Sequence, residues 1–188
     1  MKSTMKLKEI IMIAMISALI GVVFTGLDSF YGPLQALAGP VGGDIIYGLY
    51  LISALIGMYI VRKPGAGIMG SLFTGLVNLL MGSPYGIHII VAALLQGAGV
   101  ELVMATGRYK KFNFISMGSA AVLAMLLVTT RDYFMFGFGL YANLVPIMLA
   151  VRVVSSLIFG AGLTMVLGQG IKKTGAVNGF NIAVRSDY

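Results

Sequence analysis

Few side chains in this sequence could do chemistry, and most of those lie inside apolar runs. Glu101 is a carboxylate within a hydrophobic segment, and Gln96 offers two donors and an acceptor five residues earlier. A charge at the centre of a bilayer costs at least ~2.5–3.5 kcal/mol on insertion scales, so Glu101 is expected to face other helices or a cavity. It can contact a ligand, pair with Arg152, or be wet, since Arg108 is only seven residues away, ~10 Å along a helix. Asn78 ends a row of small residues (Gly67, Ser71, Gly75). Asp44 and Tyr47 fall on one face at the start of another apolar run, where Asp44 also suits a helix N-terminus. Arg152 can pair with Glu101, pair with Asp132, or line a pocket. His88 is a lone histidine, a type more often a hydrogen-bonded wall residue than a ligand contact. Aromatic residues gather between the runs: Phe30 and Tyr31, then Tyr85, then Tyr133, Phe134, Phe136, Phe138 and Tyr141. They suit an interfacial belt or a stacking surface for a planar, cationic ligand.

The elements that must carry these residues follow from composition. The 188 residues are 59% hydrophobic and 10% charged, with a mean hydropathy of +0.97. Soluble domains carry roughly 25% charged residues, so the apolar side chains here must face lipid. A spanning helix needs about 20 apolar residues, and six segments answer: 10–27, 43–61, 66–82, 86–106, 114–130 and 142–168. The expected fold is all-α and integral to the membrane, a six-helix bundle forming a single domain over 1–188. The N-terminal run is read as a full span rather than a cleaved signal. The first connection, rich in Gly32, Pro33, Gly39, Pro40, Gly42 and Gly43, reads as a flexible loop that could act as a lid.

Basic residues set the orientation. Lys2, Lys6 and Lys8 precede the first segment, Arg62 and Lys63 follow the second, Arg108, Lys110 and Lys111 follow the fourth, and Lys172, Lys173 and Arg185 follow the sixth. The intervening loops hold only Arg131. This alternation predicts cytoplasmic termini. It also explains the +7 net charge through anionic lipid headgroups, without nucleic acid.

Several classes are excluded. The chain has no cysteine and one histidine, so no thiolate or multi-histidine metal site is expected. It has no P-loop, no H-E-x-x-H and no aspartate cluster for phosphotransfer. No enzyme activity and no cofactor is expected. A self-sufficient ion or small-molecule transporter is the alternative reading, and the lack of a clear duplication of halves weighs against it.

The sequences Met81-Gly82-Ser83-Pro84-Tyr85-Gly86 and Leu95-Gln96-Gly97-Ala98-Gly99-Val100-Glu101-Leu102, within this architecture, resemble the YkoE family. Its members are substrate-binding S components of energy-coupling factor (ECF) vitamin transporters, linked to thiamin or its hydroxymethylpyrimidine precursor. The resemblance implies high-affinity capture of a vitamin from outside a bacterial cytoplasmic membrane. It also implies a transmembrane T component and two cytoplasmic ATPase subunits as partners. An Ala-x-x-x-Ala face on the first helix contacts the T component in several S components, and Ala14 and Ala18 match it. Glu101, Gln96 or Asn78 would bond an aminopyrimidine, and the aromatic residues would face a thiazolium.

Overall fold

In a computed structural model, residues 4–184 are described, so Lys2 and Arg185 of the basic clusters lie outside them. The first helix, α1, spans Leu7–Ala38. Its start is closed by Glu9, whose Oε2 accepts from the Lys6 amide (2.7 Å) and from Lys63 Nζ (2.8 Å). The helix does not stop near residue 27 as expected. It runs through Gly32 and Pro33, because helices packed in a membrane tolerate a proline when neighbours hold them. The expected flexible loop is therefore reduced to a tight turn, Gly39–Val41, with Gly39 at φ +65°.

The second apolar segment is broken into α2 (Gly42–Ile45), α3 (Tyr47–Tyr50) and α4 (Ile52–Val61). The break has a local cause. Ser155 Oγ accepts from the Gly48 amide (2.8 Å) and donates to the Ile45 carbonyl (2.7 Å), so a side chain replaces helical bonds. Gly48 is required there, since a Cβ would lie 2.0 Å from the Ser155 carbonyl oxygen. All ten residues of α4 are buried. It is the central helix, touched by α1, α5 (Ala66–Leu80), α6 (His88–Thr106), α7 (Phe114–Met135) and α9 (Leu163–Lys173).

Around it, α1 packs on α5, α5 on α6 and α6 on α7. The small-residue rows do the packing: a Cβ on Gly97 would meet Ile68 Cα at 2.5 Å. Asn113 caps α7 by accepting from the Ser116 amide (3.0 Å). The helix continues to Met135, beyond the expected end at 130, which moves Arg131 and Asp132 from a loop onto a helix. The last apolar segment is α8 (Val145–Ser155), a π-helical stretch (Ser156–Gly162) and α9, continuous over 29 residues. Beyond it the chain turns back beneath α4, where α10 (Asn181–Val184) starts with Asn181 Nδ2 donating to the Val61 carbonyl (2.8 Å).

Among the described residues, four helical stretches are long and apolar enough to cross a membrane: Leu7–Ile45, His88–Thr106, Phe114–Met135 and Val145–Lys173. Ile52–Val61 and Ala66–Leu80 are shorter apolar helices. At 1.5 Å per residue α5 is only ~22 Å long, against a hydrocarbon core of ~30 Å.

Candidate functional site

A cavity of about 340 Å³ opens at the end of the bundle where α1, α5 and α7 finish and α6 and α8 begin. Each helix contributes a stripe at helical spacing. From α1 come Phe24, Asp28, Tyr31 and Gln35; from α5 Ser71, Thr74, Gly75 and Asn78; from α6 Ile89, Ala92, Ala93 and Gln96. Val128, Arg131 and Asp132 of α7 and Met148 and Arg152 of α8 complete the opposite wall. Tyr47, Tyr50, Tyr85, Phe136, Phe138 and Tyr141 add rings. The basic turns at Arg62–Lys63 and Arg108–Lys111 belong to the other end of the bundle.

Asp28 is held in the cavity by three side-chain donors. Its Oδ1 accepts from Tyr50 Oη (2.9 Å), and its Oδ2 from Ser83 Oγ (2.6 Å) and Asn78 Nδ2 (3.2 Å). Thr25 Oγ1 shares its proton between Asn78 Oδ1 (3.0 Å) and the Gly21 carbonyl (3.1 Å), on the side of the amide away from Asp28. Burial, then the neighbouring phenol of Tyr31 and the carboxylate of Asp28, push the Tyr85 hydroxyl well above the ordinary phenol range.

The other wall is ionic. Arg152 Nε donates to Asp44 Oδ1 (2.6 Å), and its Nη1 to Asp132 Oδ2 (2.8 Å) and Thr129 Oγ1 (2.9 Å). Its guanidinium carbon lies 4.4 Å from the ring centroids of both Tyr47 and Phe138. Arg131 Nε donates to Asp132 Oδ1 (3.0 Å) and Nη1 to the His88 carbonyl (2.9 Å), and its guanidinium lies over Phe136. Of the options open for Arg152, the structure selects two together: it pairs with Asp132, and it lines the cavity. Its further partner is Asp44, not Glu101.

The expected site residues divide accordingly. Gln96, Asn78, Tyr85, Tyr47, Tyr141 and Arg152 line the cavity. Asp44 stands behind Arg152, and the His88 ring packs edge-on against Phe136 (5.3 Å). Phe134 is 80% exposed and off the cavity. Glu101 is also absent from the lining. Its Oε1 accepts from the Gly67 amide (2.9 Å), in the first turn of α5, and its Oε2 from Tyr109 Oη (2.9 Å). It closes a helix N-terminus across a helix–helix contact. Burial first, and then the Glu101 carboxylate, push the Tyr109 hydroxyl up to about 12.

The sequence reading passed over Asp28, Tyr50, Ser83 and Gln35. The Phe24-Asp28-Tyr31-Gln35 spacing was the signal, hidden by treating Gly32-Pro33 as a helix end. Ala14 and Ala18 are half-buried, beside the exposed Met15 and Leu19.

An apolar, ring-lined cavity with a few converging polar groups, set in a bundle of lipid-length helices, defines a multi-pass membrane protein that binds a small molecule. The comparisons agree with that class. A family model described as "ABC-type cobalt transport system, permease component" matches residues 8–127. YkoE of Bacillus subtilis (strain 168), described as a candidate HMP/thiamine permease protein, is 31% identical over 175 residues, 93% of this chain and 88% of its own. A solved structure, "Crystal structure of an S-component of ECF transporter", superposes with a TM-score of 0.92 at 29% identity, covering 95% of this chain and 91% of that one. The chain belongs to the YkoE family of ECF-transporter S components. Among the described residues no group of three His, Cys, Asp or Glu side chains is placed to hold a metal ion.

Proposed function

We propose that this chain is the high-affinity binding subunit of an ECF-type importer, capturing thiamin or its hydroxymethylpyrimidine precursor. The observation that carries this reading is the cavity itself. Its volume of about 340 Å³ falls within the ~300–1,000 Å³ of small-molecule sites. It joins hydrogen-bonding groups suited to an aminopyrimidine (Asn78 and Gln96) to rings suited to a thiazolium (Tyr31, Tyr47, Tyr85 and Tyr141). The name borne by the B. subtilis relative points to the same ligand.

The topology that goes with this reading is six crossings of a bacterial cytoplasmic membrane with both termini inside. The cavity then opens outward, since it lies opposite the basic turns. The shorter α5 is flanked by α1, α4 and α6 and leaves Leu76 and Leu80 exposed. Energy comes from outside this chain, through a transmembrane T component and two ATPase subunits. Ala14 and Ala18 are the proposed contact with the T component, since they leave a shallow strip beside the exposed Met15 and Leu19.

Isothermal calorimetry on the purified protein tests the ligand, with a submicromolar thiamin complex expected. Absence of heat with both thiamin and hydroxymethylpyrimidine overturns the assignment. Replacing Ala14 and Ala18 together by Leu is expected to leave binding intact and abolish uptake in cells that hold the partner subunits. Loss of binding in that variant would show that this face packs inside the subunit.

A further inference from the structure

The charges around the cavity do not balance, and the imbalance sits on one residue. Arg131 and Arg152 share the wall with Asp132 and are backed by Asp44, so two guanidinium groups meet two carboxylates. Asp28 stands outside that set. Its three partners, Tyr50, Asn78 and Ser83, are all neutral donors, and among the described residues no cationic side chain is within ion-pair distance of it. Three donors converging on two oxygens suit an acceptor-only carboxylate. Asp28 is 7% exposed and its remaining exposure is toward the cavity it lines. A buried charge surrounded by protein and lipid is costly unless a counter-charge compensates it.

We propose that Asp28 is the charge-selecting residue of this cavity, and that the ligand it takes is a heteroaromatic cation rather than a neutral isostere or a phosphate ester. The proposal rests on the thiamin reading and specifies which feature of the ligand the cavity measures. A cation next to Asp28 makes the cavity neutral and leaves the Arg–Asp wall undisturbed. The rings beside Asp28 reinforce the choice. Tyr50 donates to it directly and meets Phe24 edge-on at 4.9 Å, while Tyr31 and Tyr85 meet edge-on at 6.2 Å. Their faces attract positive charge. An added phosphate would oppose Asp28 and find Arg131 and Arg152 already committed to carboxylates. Asn78 presents its amide nitrogen to Asp28, which leaves the carboxylate as the charged acceptor on this side of the cavity.

The test compares three probes by calorimetry on the detergent-purified full chain: thiamin, its neutral thiophene isostere in place of the thiazolium, and thiamin monophosphate. The wild-type protein is expected to bind thiamin roughly ten- to a hundredfold more tightly than the thiophene isostere, the range of one charge-assisted contact, and to bind the monophosphate more weakly still. In Asp28→Asn the ratio between thiamin and the isostere is expected to shrink to about threefold or less. The wild-type comparison needs no variant, so a poorly folding Asp28→Asn does not remove the test. Equal affinity for thiamin and the isostere in the wild type overturns the proposal while leaving the thiamin reading intact. So does an unchanged ratio in a folded Asp28→Asn. Binding of neither thiamin nor the isostere overturns the thiamin reading, and this proposal with it.

Discussion

Asp28 and Glu101 are both acidic residues set in apolar helices, and their surroundings differ in kind. Glu101 bonds a backbone amide and a tyrosine at the end of the bundle away from the cavity, so both of its oxygens serve packing. Asp28 is held by side chains alone and still borders open space. An intramembrane acid is thus a prompt to look for a partner. The partner's nature separates a structural acid from one placed to meet a ligand. A helix N-terminus uses up a carboxylate, whereas a ring of neutral donors orients it and leaves its charge uncompensated. The Asp44–Arg152–Asp132 wall is a third case, in which charges compensate one another.

The largest effect is expected where compensation is removed outright. Arg152→Met leaves Asp44, which is fully buried, without its cation, and is expected to cost ~3–5 kcal/mol in denaturant unfolding in detergent. A loss below ~1 kcal/mol would show that Asp44 does not depend on this pair. Next, Tyr50→Phe removes one donor from Asp28 and should cost ~1.5–3 kcal/mol in the empty protein. A bound cation should restore part of that loss, so the rise in melting temperature on adding thiamin is expected to exceed that of the wild type. An equal rise would place Asp28 with Glu101 as a purely structural acid.

Glu101→Gln is expected to lower stability by ~1 kcal/mol and leave thiamin affinity within about twofold. A tenfold loss of affinity in a folded variant would break the comparison. The smallest effect concerns Tyr109. Its folded-state proton is held up to about 12, above the ~10 of an unfolded tyrosine. The contribution of this bond is therefore complete below pH ~10 and lost as pH rises toward ~12. Tyr109→Phe should flatten that alkaline decline in thermal melts, and an unchanged decline would count against the bond.

Much of the helical layout was legible in the sequence. Hydropathy is a sum over neighbours in the chain, so the six apolar regions emerged with the turns at Arg62–Gly65 and near Tyr85 in place. Asn78 was also legible as the polar end of a small-residue row, Gln96 as an amide in the middle of an apolar segment and Tyr85 as an aromatic between segments. Asp28 was not. Gly32 and Pro33 are helix breakers by local propensity, and contacts with neighbouring helices override that propensity over α1. With the helix ended early, Asp28 fell into a loop and its stripe with Phe24, Tyr31 and Gln35 disappeared.

By itself, then, the sequence determined the solvent of this protein and the class of its elements. Only 10% of its residues are charged, and a chain of this composition can satisfy its backbone in lipid only through helices or a closed barrel, of which its long apolar runs choose helices. The tertiary structure alone decided what each polar group faces. Asp28 is joined to Ser83 across 55 residues, and Arg152 to Asp44 across 108. Pairings at such separations depend on which helix faces pack together, and the local sequence around either partner does not specify that.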